Sequence, residues 1–119
     1  MNLKMNTQTV GKSSSIIALE GEVDVYTAPQ LKQQIISLLD NDITKIIVDL
    51  TDVAYLDSTA LGVLIGGLKR LRERDGSLSL ICPNPRIRRI FEITGLDKIF
   101  DIYQTQDEAL SAEQSKGGS

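Results

Sequence analysis

Histidine and tryptophan are absent from this 119-residue chain, cysteine occurs once, and aromatic residues make up only 4% of it. Each scarcity closes off a class of chemistry. Without histidine there is no Ser-His-Asp triad and no imidazole to serve as general base or metal ligand. A single cysteine permits no disulfide within the chain, which fits a reducing compartment. Cys82 itself, set among Leu78, Leu80 and Ile81, reads as a small buried hydrophobe. With so few rings, the core has to be aliphatic. No stretch approaches the roughly 18 apolar residues of a membrane span, and the polar N-terminus lacks the apolar segment of a signal peptide. Basic excess is missing too: a net charge of −3 and a pI near 4.9 argue against nucleic acid as the main partner. The expectation is a cytoplasmic protein with neither a membrane nor a nucleic acid as partner.

What the chain does have is aliphatic residues in two periodicities. Residues 1–9 alternate weakly, as an edge strand does, and Ile16-Ile17-Ala18-Leu19-Glu20-Gly21 is a firmer strand. Gly11-Lys12-Ser13-Ser14 between them reads as the turn of an antiparallel hairpin. Thr27-Ala28-Pro29 signals a helix start, with Thr27 as N-cap and the proline just inside. Leu31, Ile35, Leu38 and Leu39 form that helix's inner face. A strand buried on both faces follows at 44–50, then Thr51-Asp52 and the short apolar piece Val53-Ala54-Tyr55-Leu56. Leu61, Leu64, Ile65, Leu68 and Leu71 recur at helical spacing, and Arg74-Asp75-Gly76 stops the second helix. Ser77–Cys82 is the next strand. Asn84-Pro85 opens a third helix with Ile87, Ile90, Phe91 and Ile93 on its inner face, closed by Thr94-Gly95. Residues 99–103 make a last strand, and Thr105 or Gln106 begins a final helix. Strand–helix alternation after the hairpin predicts an α/β fold, a mixed and mostly parallel sheet of about five strands flanked by about four helices. One domain covers residues 1–112, and 113–119 form a small, polar, disordered tail.

Between the central strand and its helix stand Asp57, Ser58 and Thr59, at the edge where open α/β sheets place their chemistry. All three are good N-caps, and no capping box chooses among them, because Ala60, Leu61 and Gly62 follow three positions on. Gly62-Val63-Leu64-Ile65-Gly66-Gly67 lies inside the helix and lacks the order of a phosphate loop, so its glycines read as close helix–sheet packing. Asp24, Asp49, Asp52 and Asp57 cluster near strand ends, yet a metal-assisted phosphoacceptor also needs an acidic pair after the first strand and a lysine after the last, which here continues into Tyr103-Gln104-Thr105 with no lysine. The basic residues Lys69, Arg70, Arg72, Arg74, Arg86, Arg88 and Arg89 fall on outer helix faces. Nothing here specifies a catalytic residue, a metal or a cofactor. Asp24 is open to two readings: it turns the chain or caps the helix near Thr27, or it joins Asp57 on a docking rim.

Val53-Ala54-Tyr55-Leu56-Asp57-Ser58-Thr59-Ala60-Leu61-Gly62-Val63-Leu64 closely resembles the signature of the anti-sigma factor antagonists, whose fold is the STAS domain. Glu20-Gly21-Glu22-Val23-Asp24 resembles that family's loop after the second strand, and Ile87–Leu96 its third-helix segment. These stretches span residues 10 to 110 in the family's order, with Ala60 where the family usually has glycine. The resemblance implies a protein that is not an enzyme but the substrate of an anti-sigma factor serine kinase, phosphorylated at Ser58. The unphosphorylated form would bind the kinase through Asp24, Asp57, Ser58, Thr59 and Leu61 and free the sigma factor; a PP2C-type phosphatase would reset the switch. The free protein is expected to be a monomer. The alternative is a STAS-like domain that is not switched, acting as a scaffold or binding a small anionic ligand or nucleotide at the same helix terminus.

Overall fold

Ile46, Ile47, Val48 and Leu50 send apolar side chains to both faces of their strand, and such a strand is stable only in the middle of a covered sheet. The computed structural model, which describes residues 2–117 and side chains as far as residue 112, places it there. The strands are β1 Leu3–Thr9, β2 Ser14–Val23, β3 Lys45–Leu56, β4 Ser77–Ile81 and β5 Asp101–Tyr103, and they lie side by side in that order. β1 pairs antiparallel with β2 as a hairpin, and all later pairings are parallel. The helices are α1 Ala28–Asp40, α2 Ser58–Arg72, α3 Pro85–Thr94 and α4 Gln106–Gly117. α4 therefore remains helical through 113–117, inside the segment expected as a tail. Residue 1 of the expected edge strand and residues 118 and 119 lie outside the described residues.

Because strand order follows chain order, right-handed crossovers put α1, α2 and α3 on one face. There Ile17, Leu19, Leu31, Leu64, Ile87 and Phe91 belong to one core. α4 follows the last strand and covers the other face, with Ala109 over Ile16, Ile47 and Ile81. Cys82 is fully buried in the main core. Burial pushes its thiol up to about 11, against the pull of Arg88 and the Asn84 backbone. A thiolate reagent at neutral pH should therefore leave the native protein unlabelled and react stoichiometrically once denaturant is added. Native-state labelling at the denatured rate would contradict this burial.

Three local expectations are corrected by tertiary packing. β3 does not end near 50: it gains an extra residue against β2 at two register shifts, which turn Leu50, Val53 and Leu56 inward at intervals of three. Thr51 and Asp52 look like a break because the bulged strand points them to solvent. On α3, Ile87 and Phe91 are buried but Ile93 is 75% exposed, off the inward stripe. The last strand is shorter than 99–103 because Ile99 and Phe100 close a 3-10 turn, Leu96–Lys98, onto Leu96. Phe100 meets Phe91 edge-to-face at 6.1 Å.

Candidate functional site

β2 and β3 run parallel, and Val23 pairs with Leu56, so both strands deliver their carboxyl ends to the same rim. The chain leaves β3 directly into Asp57, in extended conformation, and then into α2. One carboxylate then joins two segments. Asp57 Oδ1 accepts the Ala60 N–H at 3.0 Å and caps α2, while Oδ2 accepts the Val25 N–H at 3.0 Å from the loop after β2. The Asp57 N–H returns to the Val23 carbonyl at 3.2 Å. Of the three candidate caps it is Asp57 that serves, and both its oxygens are engaged in fixing the rim.

The loop after β2 is built by Asp24. Its Oδ1 accepts from the N–H groups of Tyr26 at 2.9 Å and Thr27 at 3.0 Å and from the Thr27 hydroxyl at 3.2 Å, and the residue is only 7% exposed. Burial pushes the Asp24 carboxyl up, but the hydrogen bonds from Thr27 and Tyr26 outweigh it and hold the group below the ordinary carboxylate range. Thr27 occupies the N-cap position of α1, as expected, yet its hydroxyl makes no cap bond. It is turned back to the Glu22 carbonyl and the Asp24 N–H. This geometry favours the turn-building reading of Asp24. A folded-state pKa below the unfolded one adds stability above the ordinary carboxylate range, and that stability is lost as pH falls through the lower folded value. Asp24→Asn should therefore lower the melting temperature most at neutral pH, with the gap to wild type closing in strong acid. A pH-independent gap would refute the assignment.

On this rim Ser58 and Thr59 are exposed at the first turn of α2, where the helix cannot pair its own leading N–H groups. Leu61 is half-buried and packs against the main core. Ala60, in place of the family's glycine, is fully buried in regular helix with no positive φ, so the backbone here does not need glycine. Glycine is required at Gly21, where φ is +113° and an added Cβ would run into the Asn2 carbonyl. Asp49 bonds the N–H and hydroxyl of Thr51 beyond this rim, and among the described residues no three acidic or cysteine side chains converge as a metal site. Three large side chains outside the expected set of site residues are exposed at the ends of β2 and β3. Val25 is 54% exposed, Tyr26 73% and Tyr55 50%, the first two in the loop after β2 and the third near the end of β3. Large apolar residues in a turn and at a bulged strand end were the available signal. Strand order never reverses between β2 and β5, so no switch-point crevice opens here. The residues of the rim that stand clear of the core, Ser58 and Thr59 among them, form an exposed surface.

No helix among the described residues is long and apolar enough to cross a membrane. The STAS domain family model matches residues 4–109. An anti-sigma-B factor antagonist of Listeria monocytogenes is 37% identical over 108 residues, covering 91% of this chain and 95% of its own. One from Staphylococcus aureus is 38% identical over 102 residues, covering 86% and 94%. The crystal structure of an anti-sigma factor antagonist from Mycobacterium paratuberculosis superposes with a TM-score of 0.85 at 30% identity, covering 93% of each chain. With the sheet order, the rim and these likenesses in agreement, the chain belongs to the STAS-domain family of anti-sigma factor antagonists.

Proposed function

We propose that this protein is a partner-switching module of the cytoplasm, monomeric when free, whose unphosphorylated form binds an anti-sigma factor serine kinase and thereby frees a sigma factor. Phosphate on Ser58 ends that binding, and a PP2C-type phosphatase restores it. The observation that carries the reading is the placement of Ser58: an exposed hydroxyl at the start of α2, beside a carboxylate committed to structure, at the end of the sheet where Val25, Tyr26 and Tyr55 are also exposed. Its phosphoryl group would meet unpaired first-turn N–H groups and the positive end of the helix dipole, so the fold tolerates the modification. A partner packed on the apolar rim would not, because about −1.5 to −2 charges would be added beside Asp57. The switch then works by electrostatics at an interface, without refolding.

Thr59 and Leu61 extend the docking surface along α2, and Asp24 supports it by shaping the loop. Catalysis is left to the kinase and phosphatase; the chain is their substrate. Incubating the protein with ATP and the serine kinases encoded with it, then locating phosphate by mass spectrometry, tests the assignment. Phosphate on Ser58 that disappears with a PP2C-type phosphatase supports it. Turnover of ATP by the protein alone, lost on a single carboxylate substitution, would oppose it.

A further inference from the structure

Running back from the rim, where Thr59 lines its end, a cleft of about 380 Å³ opens between α1 and α2. Ile35, Ile36 and Val63 give it apolar walls. The glycines expected to serve helix–sheet packing divide into two kinds. Gly67 does so, since an added Cβ would press on Leu78 and Ile35 at 3.1 and 3.2 Å. At Gly62 and Gly66 an added Cβ would meet nothing within 4 Å, and neither has a positive φ. Two glycines inside a helix weaken it, and here no turn and no close approach requires them. Their effect is to leave the cleft open. Lys32 and Arg70 also line it, both exposed, and among the described residues neither forms an ion pair.

We propose that this cleft binds a small amphiphilic anion, an apolar body of medium-chain length carrying one carboxylate or sulfonate. The volume falls at the small end of the roughly 300–1,000 Å³ typical of ligand pockets. Charge complementarity decides the head group. Lys32 lies one turn before, and Arg70 one turn after, the level at which Ile35 packs on Gly67. Their backbones are thus offset by about 9 Å along the helices, and two long side chains can close on one anion. In a chain of net charge −3, two unpaired cations beside apolar walls select an anion with an apolar body over a neutral or basic ligand. The cleft reaches the rim at Thr59, next to Ser58, but the proposal does not rest on the phosphorylation reading.

The test titrates the unphosphorylated full chain with decanoate, kept below its micellar range, and with decanol as the neutral control, followed by amide NMR shifts. Saturable shifts at Ile36, Gly62 and Gly66 are expected with decanoate and at least tenfold weaker binding with decanol. Gly66→Leu should fill the cleft and abolish the response. The double variant Lys32→Glu, Arg70→Glu keeps the cleft open and should weaken decanoate at least tenfold while leaving decanol unchanged; it also serves if the leucine variant does not fold. Equal binding of decanoate and decanol, or full binding by Gly66→Leu, would overturn the proposal. So would a cleft silent to decanoate whose amides respond only to an added protein partner, which would make it a docking groove.

Discussion

Ser58→Ala is expected to take up no phosphate from the partner kinase while melting within a few degrees of wild type. The two halves of this result have separate causes. Phosphate is lost because the acceptor oxygen is gone. Stability is kept because Asp57, not Ser58, caps α2, and an exposed substitution away from a cap stays within about 0.5 kcal/mol. Ser58→Asp separates folding from binding more sharply. A carboxylate at the first position of a helix is favoured by the dipole by about 0.3–1 kcal/mol, so the isolated domain should hold or gain stability. Against a partner it places a second negative charge beside Asp57, and like-charge juxtaposition in an interface costs several kcal/mol. Kinase affinity should therefore fall about tenfold or more, since each 1.4 kcal/mol is tenfold. Calorimetric titration of both variants reads this directly. Phosphate mapping to Thr59, or an aspartate variant that binds as well as wild type, would remove Ser58 from the switch.

Asp57→Ala should be the most destabilising change on the rim. It removes the cap of α2, worth about 0.5–2 kcal/mol. It also removes the charged acceptor of the Val25 N–H, a class of bond worth about 1.5–3 kcal/mol, here reduced because water can reach Val25. Together these come to about 2–3 kcal/mol, or roughly 10 °C in melting temperature for a domain of this size. Asp57→Asn distinguishes the two roles. Asparagine is as good a cap as aspartate, but an amide has one oxygen, and its NH2 turned toward Val25 would set donor against donor. The variant should keep the start of α2 and release the loop, seen as faster hydrogen exchange at the Val25 amide with a smaller loss of melting temperature than Asp57→Ala. Unchanged exchange there would mean the loop is held by its own Asp24 turn alone.

The element order was legible because it depends on neighbours in the chain. Asn84-Pro85 and Gly95 mark the ends of α3 through local backbone requirements, and Leu64, Leu68 and Leu71 define the inner face of α2 by spacing alone. The central place of β3 followed from its unbroken apolar run. Ser58 stood out through the resemblance, since a hydroxyl beside a helix start is by itself the mark of an N-cap. Tertiary structure decided whatever depends on atoms distant in sequence. Asp57 is chosen as the cap because its second oxygen meets Val25, 32 residues away, across two parallel strand ends. Asp24 is drawn inward because three donors of its own turn converge on one oxygen. Bulges against β2 carry β3 past the polar Thr51-Asp52 pair, since register belongs to a strand pair and not to one strand. Gly62, Gly66 and Gly67 are the same residue in the sequence. Only the position of α1, with Ile35 against the third and open space beside the other two, makes one a packing contact and leaves the others lining a cleft.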